Sequence, residues 1–99
     1  MEINNSKKQF FFLQIDKESK QVWLLGYPIP FSPTEIKILS ALCDRRPLSG
    51  EDILAEIGSS ADKRCLSAHI CSINKKAEKE SGRKLIIHTS YGYSLNPNL

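Results

Sequence analysis

Apolar residues change their spacing along this chain, and each change marks a switch between strand and helix. Phe11, Leu13 and Ile15 alternate with polar positions and fall on one face of a strand over 10–15, the period of a half-buried strand. A second run over 21–25, rich in Val, Trp and Leu, follows the turn Asp16-Lys17-Glu18-Ser19-Lys20, so the two predict a hairpin. Gly26-Tyr27-Pro28 turns the chain again. Residues 29–31 then predict a third short strand, whose prolines suit a sheet edge. Residues 1–9 are polar and are expected to be a flexible N-terminus.

From Pro33 the spacing becomes helical. Ile36, Leu39, Leu42 and Cys43 share a face of a helix over 33–44, and the run Phe31-Ser32-Pro33-Thr34-Glu35-Ile36 writes its start. Ser32 is the N-cap, its hydroxyl accepting from the Glu35 N–H while the Glu35 carboxylate accepts from the Ser32 N–H. Pro33 takes the first helical position, where its missing N–H costs nothing, and Phe31 and Ile36 occupy the two places of a hydrophobic staple. Arg45-Arg46-Pro47 ends the helix with cations near its negative terminus. A second helix starts at Ser49 with Asp52 as its partner, turns Ile53, Leu54 and Ile57 inward and stops at Gly58. After a polar link over 58–62, a third helix over 63–79 carries Leu66, Ile70, Ile73 and Ala77 as its apolar stripe. Two last apolar runs, 84–89 and 91–95, are split by Ser90 and contain Gly92, which predicts a second hairpin. The elements define an α+β fold: an N-terminal antiparallel sheet, three helices and a C-terminal β-hairpin.

The third helix directs attention to function. Opposite its apolar stripe stand Arg64, Ser67, Ala68, Cys71, Ser72, Lys75 and Lys79: short side chains in the N-terminal half, cations at both ends. A helix that enters a major groove needs small polar residues for close approach to bases and flanking Lys or Arg for phosphates. Charge is distributed to match. Residues 1–62 hold seven basic and nine acidic side chains, whereas residues 63–84 hold seven basic and two acidic, within a total of +3 over 99 residues. An ordinary amphipathic helix with a solvated face has a similar composition.

Other function classes find little in the chain. Its 99 residues allow one small domain. The three cysteines, Cys43, Cys65 and Cys71, are odd in number; Cys65 and Cys71 fall on different faces of one helix and cannot bridge. That usage points to a reducing, cytoplasmic compartment. Neither a secretory core nor a membrane segment is expected. No paired carboxylates, Gly-rich phosphate loop or nucleophile with its base is legible, so an enzyme is not expected, nor a cofactor or a metal. Cys65 and His69 are four apart, half of a metal site, but no further ligands follow.

The order and residues of these elements resemble the DNA-binding effector domain of OmpR/PhoB-type response regulators, which are bacterial transcription factors. The resemblance covers residues 10–96 and rests on the strand-turn-strand from Phe12 to Leu25, the Gly26 turn, Phe31-Ser32-Pro33-Thr34-Glu35, Ser49-Gly50-Glu51-Asp52-Ile53-Leu54, Ala68-His69-Ile70 followed by Lys75-Lys76, and Tyr91-Gly92-Tyr93. It implies a winged helix-turn-helix domain over 10–96, with helix three in the major groove and the hairpin as the wing in the adjoining minor groove. By the same resemblance His69 contacts a phosphate, although its place on the flank of helix three also suits a half-buried, hydrogen-bonded histidine.

Departures from the family pattern matter too. Arginines common after the His-Ile pair are replaced by Cys71, Ser72 and Asn74, and the wing position that usually carries an arginine is Thr89. Fewer phosphate contacts are therefore expected, and weak or partner-assisted binding. The 99 residues include no receiver domain, so no phosphorylation input is expected. The aromatic residues Phe10, Phe11, Phe12, Trp23 and Tyr27 are expected to pack the sheet on helix one, Tyr93 to close the core, and Tyr91 to meet the DNA backbone. The reading is thus a sequence-specific regulator of transcription that binds double-stranded DNA through Arg64, Ser67, Ala68, His69, Cys71, Ser72, Lys75, Lys79, Thr89 and Tyr91. Further partners it admits are RNA polymerase, a regulatory protein or a second copy on the DNA. The alternative is a protein-interaction module that keeps the winged-helix fold with reduced DNA affinity.

Overall fold

Alternating burial folds the N-terminal part into an antiparallel sheet of four strands in the order β1-β2-β3-β4: β1 Lys7–Phe10, β2 Leu13–Asp16, β3 Gln21–Leu24 and β4 Tyr27–Pro28. A computed structural model describes residues 7–10, 12–16, 18–45, 47–58 and 63–97. Leu13 pairs with Leu24 and Ile15 with Val22 across β2 and β3, and all four are buried, so this row is the inner face. Gln14 and Trp23 pair on the outer face, where Trp23 is half-buried.

The sheet departs from the sequence pattern in three ways. The expected strand over 10–15 is two strands, since Phe10 pairs with Leu13 and the chain reverses between them. Phe12 lies in that turn and is exposed. Lys7–Gln9, expected to be flexible, belong to β1, whose polar residues gave no apolar alternation. The expected strand over 29–31 is displaced to Tyr27–Pro28, because Leu25 and Gly26 make a two-residue turn with φ of 55° and 84°. Such a turn needs positive φ at both central positions; Gly26 adopts it freely, and Leu25 carries the strain. Ile29 and Phe31 are buried beyond the strand end, with the Ile29 N–H still bonded to the Val22 carbonyl. The expectations for residues 1–6, Phe11, Lys17, Arg46 and the link residues 59–62 lie outside the described residues.

Helix α1, Pro33–Asp44, is the hub of the domain: it buries Glu35, Ile36, Ile38, Leu39, Ser40, Ala41 and Leu42 and touches α2, α3, β1 and β6. Its start is as the sequence writes it, with Glu35 N–H donating to the Ser32 hydroxyl at 3.2 Å and Ser32 N–H donating to the Glu35 carboxylate at 2.7 Å. Arg45, just past its end, pairs with Glu56 of α2. Helix α2, Gly50–Ile57, is capped by the Ser49 hydroxyl. Helix α3, Lys63–Ser81, runs two residues beyond the expected end and buries Leu66, Ile70, Ile73 and Ala77.

Strands β5, Ile86–Thr89, and β6, Gly92–Leu95, form the C-terminal hairpin. Leu48, between α1 and α2, exchanges two backbone bonds with Tyr93, at 2.9 and 2.7 Å, and so ties the hairpin to the helices. This close approach requires Gly92. At its φ of 134° a Cβ would stand 2.5 Å from the Leu48 carbonyl oxygen, closer than a carbon side chain can come. The architecture is a winged helix. Phe12 and Tyr27 do not pack the sheet on α1 as expected, being 39% and 60% exposed, since both sit at the turn end of the sheet. Tyr93 packs against the core.

The cap sets the first stability prediction. Ser32→Ala removes one acceptor and loosens the reciprocal Glu35 bond, with an expected loss of about 1 kcal/mol and a melting temperature lower by roughly 4 to 8 °C. Thermal unfolding followed by circular dichroism measures it.

Candidate nucleic-acid interface

One side of α3 is committed to the core, and this fixes what the other side presents. Arg64, Ser67, Ala68, Cys71, Lys75 and Lys79 are exposed, while His69 and Ser72 are half-buried on the flank. Arg64 and Lys75 are separated along the axis by about 16 Å, at roughly 1.5 Å per residue, with the short side chains of Ser67, Ala68 and Cys71 between them. Glu78 and Glu80 are also exposed, so the C-terminal half alternates in sign and the uninterrupted basic and neutral surface is confined to the first turns and Lys75.

Two residues of α3 that lie within or beside the expected reading surface instead hold the fold. Asn74 uses its side-chain amide as a strand edge would: its nitrogen donates to the Ile86 carbonyl at 3.1 Å and its oxygen accepts from the Ile86 N–H at 2.8 Å. This locks the hairpin to α3. Lys76 turns the other way, donating to the Glu35 carboxylate at 2.7 Å and to the Pro30 carbonyl at 3.1 Å, with its ammonium 5.6 Å from the Phe31 ring centre. Neither role was legible in the sequence. Asn74 has no local partner, and Lys76 reads as one of a solvated lysine pair.

Glu35 is only 3% exposed at its side chain. Burial pushes its carboxyl up, but the Lys76 ammonium, the Ser32 N–H and the Ser72 hydroxyl together outweigh it and hold the group below the usual carboxylate range.

The hairpin stands beside the N-terminal half of α3. A cleft of about 460 Å³ between them is lined by Ser49, Gly50, Glu51, Leu66, Ser67, His88 and Tyr93. His88 and Tyr93 stack face to face, with ring centres 4.5 Å apart. Glu51 brings a carboxylate to this cleft, which opposes an anion there. At the hairpin tip the Thr89 hydroxyl donates to the Gly92 carbonyl at 3.0 Å and accepts from the Tyr91 N–H at 3.2 Å. Thr89 thus shapes the turn, half-buried, while Tyr91 projects with 82% of its surface exposed. Among the described residues no cluster of three or more metal-ligating side chains occurs, and no helix is long and apolar enough to cross a membrane.

A mutant of RitR superposes with a TM-score of 0.78 at 19% identity, over 90% of this chain and 42% of RitR. The DNA-binding domain of the response regulator AdeR, solved in complex with an intercistronic region, gives 0.76 at 24% identity, over 90% of this chain and 97% of that domain. DrrB of Thermotoga maritima, an OmpR/PhoB homolog, gives 0.73 at 24% identity, over 92% of this chain and 44% of DrrB. The chain therefore has the winged-helix fold of OmpR/PhoB-type effector domains and spans less than half the length of the RitR and DrrB chains. No protein-family model matches the sequence, and no curated protein matches it by sequence.

Removing Lys76 tests the clamp. Lys76→Ala leaves the Glu35 carboxylate buried without its ammonium, and at pH 7 the expected cost is about 2 kcal/mol, less than the roughly 3 to 5 of a fully buried pair because Lys76 is partly solvated. The folded carboxyl has a lower pKa than the unfolded one, so the pair's contribution is complete above the unfolded carboxylate range and is lost as pH falls through the folded pKa. The deficit of the variant should therefore shrink on acidification, as urea titrations across pH would measure. A deficit constant with pH would assign the loss to packing of the lysine stem.

Proposed function

We propose that this chain is a sequence-specific DNA-binding transcription regulator, with α3 in the major groove and the β5–β6 hairpin as the wing. The observation that carries the reading is the outward face of α3: Ser67, Ala68 and Cys71 between Arg64 and Lys75, on a helix whose opposite side is fixed in the core. Small side chains allow the helix axis to approach base edges, and the flanking cations meet phosphates on either side. Lys79 extends the basic edge. His69 is a phosphate ligand from the flank in this reading, and Thr89 acts by shaping the wing. The fold shared with AdeR, which was solved with DNA, supports the same assignment. The binding unit is residues 10–96 together with Lys7–Gln9, which complete β1 as its outer strand.

Few cations remain for phosphates, so the expected affinity is modest and is raised by a second copy on neighbouring DNA, by a regulatory protein or by RNA polymerase. A second reading, a protein-interaction module, is favoured by one observation: Phe12, Leu25 and Tyr27 are exposed together at the turn end of the sheet, where Phe12 and Leu25 are joined by a backbone bond. Retention of genomic DNA fragments as a function of salt separates the two readings, because a protein-interaction module with reduced DNA affinity releases them already at low salt.

Lys75→Ala and Arg64→Ala should each weaken binding to all sequences and lower the slope of log K against log salt by about one. Ser67→Ala should instead change preference at one base pair by roughly 1 to 3 kcal/mol and leave non-specific affinity nearly intact. Salt slopes unchanged in both cation variants would reject this docking.

A further inference from the structure

Helix α1 buries most of its circumference, but near its start Pro33 and Lys37 are exposed, one turn apart. Together with Ile36, which is buried, and Lys20, the last residue of the turn between β2 and β3, they line an open groove of about 290 Å³. Two of the lining residues are apolar and two are cations. Among the described residues the side chains of Lys20 and Lys37 take part in no ion pair or hydrogen bond. The turn's own carboxylate, Asp16, is engaged by the Glu18 and Ser19 N–H groups at 3.1 and 3.4 Å. Lys20 is held at a φ of 59°, which glycine or asparagine adopts with less strain, so local propensity does not account for a lysine there.

Size and chemistry identify what fits the groove. Small-molecule sites run from roughly 300 to 1,000 Å³, so this one takes a single large side chain and not a whole ligand. A nucleic-acid backbone brings phosphates but nothing apolar to cover Pro33 and Ile36, and an anionic membrane is held by clusters of about four to eight cations, where two stand here. An aliphatic or aromatic side chain flanked by carboxylates matches both the apolar and the cationic lining. Place on the helix decides access. The Glu35 carboxylate meets Lys76 of α3, and Pro33 and Lys37, two positions to either side of Glu35, lie roughly 160° around the helix from it. The groove therefore opens on the side of α1 turned away from α3, and a partner seated in it leaves the face proposed to read DNA free. It is also separate from the exposed Phe12, Leu25 and Tyr27, since Leu25 stands at the other end of β3, roughly 16 Å along the strand from Lys20.

We propose that the groove between the β2–β3 turn and the start of α1 is a docking site for an acidic peptide segment of a partner protein, which lays one large apolar side chain over Pro33 and Ile36 and pairs its flanking carboxylates with Lys20 and Lys37. The inference goes beyond the DNA-binding reading and holds whether or not α3 reads DNA. Exposed ion pairs are weak singly, so the expected Kd for an isolated peptide is on the order of 0.1 to 1 mM. Such an affinity suffices once a second contact holds the two proteins together, because a short tether supplies an effective concentration in the millimolar range.

The test follows the backbone amide shifts of the full chain by NMR as a blocked hexapeptide is added, with a central leucine or phenylalanine between glutamates. Shift changes should concentrate at Lys20, Ile36 and Lys37 and saturate. Replacing the glutamates with glutamine, or the central residue with alanine, should weaken binding about tenfold. Lys20→Gln and Lys37→Gln should each weaken it by about three- to tenfold, with melting temperatures equal to the parent's, because both side chains are exposed, and with the salt slope for DNA unchanged. No saturable change at these residues up to about 10 mM peptide, ten times the weakest expected Kd, overturns the proposal. So does a glutamine peptide that binds equally well, or a set of changes gathered at Phe12, Leu25 and Tyr27. Changes at the groove on dilution of the chain alone would seat a second copy there, and a lower salt slope in either variant would make that lysine a phosphate contact; both outcomes overturn it too. A parent that retains no DNA ends the DNA-binding reading and leaves the peptide titration standing.

Discussion

The Glu35 carboxylate is the point on which this domain turns. One oxygen accepts the Ser32 N–H, which starts α1, and also the Lys76 ammonium, which comes from the middle of α3. A helix cap is normally a local device worth about 1 kcal/mol. Here the same carboxylate sets the register between the hub helix and the helix proposed to read DNA, and Lys76 extends the link to the Pro30 carbonyl ahead of the cap. Burying a charge is costly unless it is paired and hydrogen-bonded, so the geometry at Glu35 admits little variation. The segment from Pro30 to Glu35 and the face of α3 around Lys76 must come together for either to be satisfied.

A second lock works on the opposite flank of α3. Asn74 and Lys76 are two residues apart and point to opposite sides, Asn74 to the first residue of the hairpin and Lys76 to α1. Between them stands Lys75, which is exposed. The helix is thus gripped on both flanks near one turn, while its apolar stripe fills the core. Its remaining face is positioned by contacts that do not themselves involve that face. Reading surfaces need this kind of support, because a displacement of a fraction of an ångström changes which donors meet a base edge.

How much of this was legible in the sequence follows from the range of the interactions concerned. Helix starts are local: Ser32 with Glu35 and Ser49 with Asp52 lie three residues apart, and both caps form as written. The stripe Leu66, Ile70, Ile73 and Ala77 is likewise periodic and is buried. The sheet was harder. β1 is polar and owes its place to pairing with β2, so nothing in its own residues announces a strand, and the Phe-rich run that suggested one contains a reversal. The turn at Leu25 and Gly26 puts a leucine at positive φ, against its own preference, which tertiary pairing of Tyr27–Pro28 with β3 overrides. At the candidate site the exposed residues followed from the helical wheel. The flanks did not, because Asn74 and Lys76 take their roles from partners 12 to 46 positions away.

These roles also explain the unusual composition of the proposed interface. An arginine at position 74 would have no acceptor for the Ile86 N–H and so could not form the two-way amide bond that fixes Ile86. Asparagine has both a donor and an acceptor at the right length. Position 74 thus holds a neutral residue that connects α3 rigidly to the hairpin, and with Leu48 paired to Tyr93 across the close approach that Gly92 admits, the hairpin is held both from α3 and from the segment between α1 and α2.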